Sequence, residues 1–91
     1  MELPAGLVPL GESPEFDVHN VPPALLTEHR TASDCWGRLV VTRGSVDYHD
    51  LATGATTRVH AGEQFVIPPA QPHRVALSDD ATFRVEFFRQ R

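Results

Sequence analysis

The chain has 91 residues, a formal net charge of −4 and 41% apolar side chains, which describes one small globular domain and argues against disorder over most of its length. Its one cysteine, Cys35, excludes an intramolecular disulfide framework, so a domain this small is expected to gain stability from a metal or a partner subunit. No apolar run approaches the roughly 20 residues of a membrane span, and the basic residues, all arginine, are scattered along the chain, which argues against membrane and nucleic-acid partners.

Residues 1–15 contain Pro4, Pro9 and Pro14 with Gly6 and Gly11. They predict an extended, irregular arm ahead of a barrel domain over 16–91. The acidic Glu2 and the interrupting prolines do not make a secretory signal, so a cytoplasmic location is the default expectation. Val21-Pro22-Pro23-Ala24 allows a single helical turn. Leu26 to Thr31 reads as a strand. Gly37 to Thr42 is rich in β-branched residues, Arg43-Gly44 forms a tight turn, and Ser45 to His49 runs back with period-2 alternation. Thr53-Gly54 marks a hairpin turn before Ala55 to Val59. Ala61-Gly62 turns into Gln64 to Ile67, which Pro68-Pro69 stops. His73 to Leu77 and Thr82 to Arg89 complete about six or seven short strands, the spacing of an all-β sandwich or barrel.

The stretch GEQFVIPPAQPHRV, Gly62 to Val75, is the most informative. Pro68-Pro69 cannot continue ladder pairing in a central strand, so the chain turns and re-enters the sheet at His73. A histidine on so stiff a turn is well supported for metal ligation or base chemistry. The spacing of Gly62, five residues, Pro68, four residues, His73 resembles the second sequence motif of the cupin superfamily. The first motif of that superfamily, two histidines one residue apart, a glutamate and a glycine, falls in EHRTASDCWGRLVVTRG, Glu28 to Gly44. There His29 stands for one histidine, Thr31 occupies the place of the second, and no glutamate precedes Gly44 at the expected position. Taken together, VPPALLTEHRT, WGRLVVTRGSVDY, IPPAQPHRV and FRVEFF resemble the small single-domain cupin family related to the N-terminal domain of the tellurite-resistance methyltransferase. The resemblance implies a cupin-like jelly-roll barrel, often dimeric, with a divalent metal site. It implies no methyltransferase activity, because the chain is expected to have no room for a nucleotide-binding domain.

Carried over residue by residue, the resemblance nominates His29 and His73 as metal ligands, with Glu86 in the last strand as a third. Two imidazoles and a carboxylate suit zinc, the first expectation, or iron, nickel or manganese. Glu86 depends on which face of TFRVEFFR looks inward. If Phe83, Val85 and Phe87 face the core, Glu86 points outward and is no ligand. If Thr82, Arg84, Glu86 and Phe88 line the pocket, Arg84 becomes an anion anchor or the ion-pair partner of Glu86.

The remaining chemistry-bearing residues have plainer readings. His19, His49 and His60 flank turns or irregular segments and are expected at the surface. Cys35 has no evident activating base, Trp36 is a packing residue at the barrel rim, and Tyr48 is a core residue with a satisfied hydroxyl. No nucleophile, base and acid can be assembled into a triad. Three functions remain in play: a module that senses or sequesters a small oxyanion, such as tellurite, or a metal in stress resistance, a metal-dependent enzyme acting on a small polar molecule, and a barrel that keeps a metal, or none, for stability alone. The shortage of general acids and bases favours binding over catalysis. A homodimer is expected, because a small barrel with a proline-rich arm gains by pairing.

Overall fold

The computed structural model describes residues 1–90. Strands β1 (Val8–Glu12), β2 (Cys35–Arg43), β3 (Ser45–Asp50), β4 (Thr56–His60), β5 (Gln64–Ile67), β6 (His73–Leu77) and β7 (Thr82–Arg89) are joined by turns, and one 3-10 turn spans Pro23–Leu26. The strands form two antiparallel sheets, ordered β1-β7-β2-β5 and β4-β3-β6. The all-β expectation holds, and β5, β6 and β7 begin and end where proline, turn and periodicity signals place them. Among the described residues no helix is long and apolar enough to cross a membrane.

Two segments differ from expectation. The arm is extended but not wholly irregular, since Val8–Glu12 pairs with β7. Prolines are tolerated there because β1 is an edge strand with one free side. Leu26 to Thr31 is not a strand. Pro22 and Pro23 instead start the 3-10 turn, and the chain after it makes one isolated antiparallel bridge, His29 to His73, on the free edge of β6.

Period-2 alternation puts one face of each sheet into a shared core. Leu39, Val41, Ile67 and Phe83 project from one sheet and meet Val46, Tyr48, Val59 and Val75 from the other, all buried. The register is what makes this consistent. Leu39 lies opposite Val85, Val41 opposite Phe83 and Gly37 opposite Phe87, so the inward faces of β2 and β7 coincide. Gly37 itself is a close-packing position, where an added Cβ would come within 3.3 Å of the Ile67 side chain.

The turn between β2 and β3 depends on Gly44. Its φ of +63° lies in the left-handed region, and its missing Cβ would sit 2.9 Å from the Ala81 backbone and 2.6 Å from Ser78 Oγ. That hydroxyl is already engaged, accepting from the Ser45 N–H at 2.9 Å and donating to Asp80 at 2.8 Å. Gly44→Ala therefore combines left-handed strain with a backbone clash and is expected to destabilise the fold by about 2–4 kcal/mol. In a thermal melt of a domain this size, that is a fall of roughly 10–20 °C.

Candidate functional site

The bridge between His29 and His73 is reciprocal. Each N–H donates to the other residue's carbonyl at 2.9 Å. Residues paired in this way across antiparallel strands carry their side chains on the same face. The two imidazoles consequently lie together, with ring centres 4.1 Å apart and planes inclined at 66°. Fold topology thus brings together two histidines far apart in sequence.

Each ring is oriented by its own chain. His29 Nδ1 lies 2.9 Å from the Thr27 carbonyl, and His73 Nδ1 lies 2.7 Å from the Gln71 carbonyl. A carbonyl oxygen only accepts, so the proton of each neutral ring sits on Nδ1. Nε2 is left with its lone pair, the arrangement that a carbonyl accepting from the other ring nitrogen imposes on metal-ligating histidines. His73 is 2% exposed and stacks on Tyr48 with 4.9 Å between ring centres. Gln71, two residues upstream, is pinned in turn: Tyr48 Oη donates to its Oε1 at 2.5 Å, and its Nε2 donates to Asp50 Oδ2 at 3.1 Å. Burial pushes the His73 pKa below its ordinary value. The hydrogen bond to Gln71 pulls it back, the His29 ring lowers it, and Asp50 raises it.

Both histidines line a cavity of about 350 Å³ between the sheets. Much of its remaining lining is apolar, Leu25 from the 3-10 turn, Ala32, Ile67 from β5, and Val85 and Phe87 from β7, and Arg30 also lines it. Thr31, which also lines it, has a buried Oγ1 without a hydrogen-bond partner. Cys35 reaches the cavity as a protonated thiol, its pKa raised first by burial and then by the Asp34 charge.

Glu86 does not join this site. Phe83, Val85 and Phe87 face inward, so alternation turns Glu86 to the opposite face of the sheet, directly across from Arg38. There its carboxylate accepts from Arg38 Nε at 2.7 Å and from Arg84 Nη2 at 3.0 Å. Burial pushes its pKa up, but the hydrogen bonds and charges of the two guanidiniums outweigh this and hold it below the usual carboxylate value. Trp36 lies on that outer face as well, opposite Phe88. Among the described residues no group of three or more His, Cys, Asp and Glu side chains converges. The metal-binding side-chain types that line the cavity are those of His29, His73 and Cys35. Sequence reasoning located the two histidines and placed Thr31 at the second-histidine position. It missed Gln71, whose only signal is its place two residues before His73.

Two expectations follow for the metal-free protein. Unfolded His73 takes up a proton near its ordinary value of 6.5, whereas the folded residue stays neutral to lower pH. In that window the unfolded state binds more protons, so stability is full above about pH 6.5 and is lost as the pH falls. The melting temperature should fall as the pH is lowered through about 6.5, and the fall should shrink in His73→Gln. Thr31→Val removes an unsatisfied buried hydroxyl at nearly constant volume and should stabilise the fold by about 1 kcal/mol in denaturant titration.

Comparison with known proteins gives this geometry a lineage. The structure superposes on that of a protein from Escherichia coli strain K12 with a TM-score of 0.92, at 23% identity over 100% of this chain and 89% of the other. TehB from Haemophilus influenzae superposes with a TM-score of 0.83, at 27% identity over 92% of this chain; the match spans 32% of that protein. A cupin-2 domain protein from Shewanella frigidimarina gives a TM-score of 0.56, at 19% identity over 93% of this chain and 67% of the other. No curated protein matches the chain. The TehB-like domain family matches residues 12–85. That span contains both histidines, strands β2 to β6 and the first half of β7, and the chain belongs to the TehB-like domain family, with a cupin-like, all-β fold.

Proposed function

We propose that the protein is a metal-binding module in which His29 and His73 hold one divalent ion through Nε2, with the remaining coordination positions open to a small ligand. The observation that carries this reading is the matched anchoring of the two Nδ1 atoms on the Thr27 and Gln71 carbonyls. It leaves Nε2 of each ring with its lone pair, on two neighbouring rings that line one cavity, and a neutral His73 suits ligation at ordinary pH. Zinc is the first choice for such a pair, and iron(II), nickel and manganese are the alternatives. The ion would supply Lewis acidity and a binding point for a lone pair; the chain supplies ring orientation and a largely apolar enclosure.

The donor count argues against a purely structural ion. Closed structural zinc sites use four protein ligands, and the metal-binding side chains that line this cavity are two histidines and one cysteine. Catalysis is also less well supported than binding. Glu86 is on the outer face, and Glu28 is exposed and ion-paired with Arg30 at 3.2 Å, so no carboxylate stands at the cavity as a general acid or base. His29 and His73 would hold the ion, each presenting Nε2 to it, with the exposed loop that carries His29 leaving that ring the freer of the two to adjust.

Elemental analysis of protein purified without chelators should find near-stoichiometric divalent metal. His29→Ala and His73→Ala should each lose it, and Glu86→Gln should retain it. Protein that takes up none of zinc, iron(II), nickel or manganese on reconstitution would overturn the proposal.

A further inference from the structure

A second cavity, of about 210 Å³, shares no lining residue with the one at His29 and His73. Its polar lining is Tyr48, Asp50, Thr57, Gln64 and Gln71, and its apolar lining is Met1, Ala55, Phe65, Val66 and Pro68. Asp50 carries the one formal charge among these side chains. It follows Tyr48 by two residues on β3, so alternation turns both to the inward face, and it is half-buried.

That charge has only neutral partners. Oδ1 accepts from the Ala52 and Thr53 N–H groups at 2.9 and 3.3 Å, closing the turn after β3, and Oδ2 accepts from Gln71 Nε2 at 3.1 Å. Neutral donors leave a carboxylate its full charge. Asp47, on the opposite face of the same strand, shows the contrast, since it pairs with Arg58 at 2.8 Å. Arg30, Arg38 and Arg84 are held by Glu28, Glu86 and Glu12, and among the described residues no ion pair reaches Asp50. Gln71 Oε1 accepts from the Tyr48 hydroxyl and keeps a second lone pair. Burial, and then the Asp50 charge, raise the Tyr48 pKa, so that hydroxyl remains a donor.

We propose that this cavity binds a small primary alkylammonium ion, independently of any metal at the histidines. The ammonium meets the Asp50 carboxylate and the free lone pair of Gln71 Oε1, and the carbon chain lies against Phe65, Val66 and Pro68. A hard divalent cation is served less well, because it demands about six oxygen ligands and this cavity has one carboxylate beside apolar walls. An organic anion is repelled by Asp50, and a neutral alcohol leaves the carboxylate uncompensated. The net charge of −4 favours the approach of a cation.

Calorimetric titration of the chelator-treated full chain with methylammonium, butylammonium and hexylammonium, and with butan-1-ol and butanoate, tests this. Butylammonium should bind roughly tenfold or more tighter than butan-1-ol, and butanoate should be weakest. Affinity should rise by up to about fourfold per methylene until the cavity is filled. Asp50→Asn keeps an oxygen for the turn and should abolish the preference for ammonium over alcohol. Ala55→Phe, at an exposed position, should block the cavity and weaken every alkylammonium, which keeps the placement testable if Asp50→Asn fails to fold. His29→Ala should leave alkylammonium affinity unchanged. Absence of butylammonium binding at millimolar concentration, equal affinity for the alcohol, or an Ala55→Phe variant that binds like the parent overturns the proposal. So does calcium or magnesium that displaces butylammonium at lower concentration, which assigns Asp50 to a hard cation. Loss of alkylammonium binding in His29→Ala overturns the placement and moves the amine to the histidine cavity.

Discussion

The reciprocal backbone bridge between His29 and His73 is the constraint on which the site rests. Side-chain attraction alone does not hold two imidazoles in contact, and a pair of loop histidines would sample many separations. Here the separation is set by two main-chain hydrogen bonds of 2.9 Å, geometry that antiparallel pairing imposes on both side chains at once. The double proline after β5 forces the turn that delivers His73 to the start of β6, and the 3-10 turn at Pro23–Leu26 delivers His29 to that strand's free edge. Each proline punctuation therefore positions one ring.

The network behind His73 makes the constraint stiff. Gln71 binds the ring through its backbone and is itself tied to β3 by Tyr48 and Asp50. Tyr48 also stacks on the His73 ring, so one core residue both packs against the imidazole and holds its orienting partner. Burial that favours neutral His73 and a carbonyl that fixes its tautomer act toward the same end: a bare Nε2 at a fixed place. His29 has a carbonyl but no comparable packing, and it sits at the more exposed side of the pair. The asymmetry gives the site one rigid wall and one that can yield.

Strand β7 shows how one sequence serves two purposes through alternation. Its inward residues Val85 and Phe87 form cavity wall, while Arg84 and Glu86 on the other face join Arg38 in an ion-paired cluster, with Arg38 lying 5.2 Å from the Phe88 ring centre. Glu12 of β1 also pairs with Arg84, at 3.0 Å, so this outer cluster ties the edge strand to the sheet. The charged residues of β7 stabilise the scaffold, and the apolar ones shape the pocket.

Local signals in the chain determined most strand positions, because turns built on Pro68-Pro69, Gly44 and Asp79-Asp80 and the two-residue period act between near neighbours. His29 and His73 are nominated by the resemblance to the two cupin motifs. What local pattern left open was the facing of TFRVEFFR, since both of its faces carry apolar residues and either could be turned inward. Only pairing across the sheet decided it: Gly37, which has no side chain, lies opposite Phe87 and leaves room inside, while Arg38 lies opposite Glu86 and draws it outward. Contact between the two imidazoles likewise belongs to tertiary structure, because a bridge between residues 29 and 73 forms only when the sheet brings its edge to the returning arm, and no short-range propensity encodes that meeting.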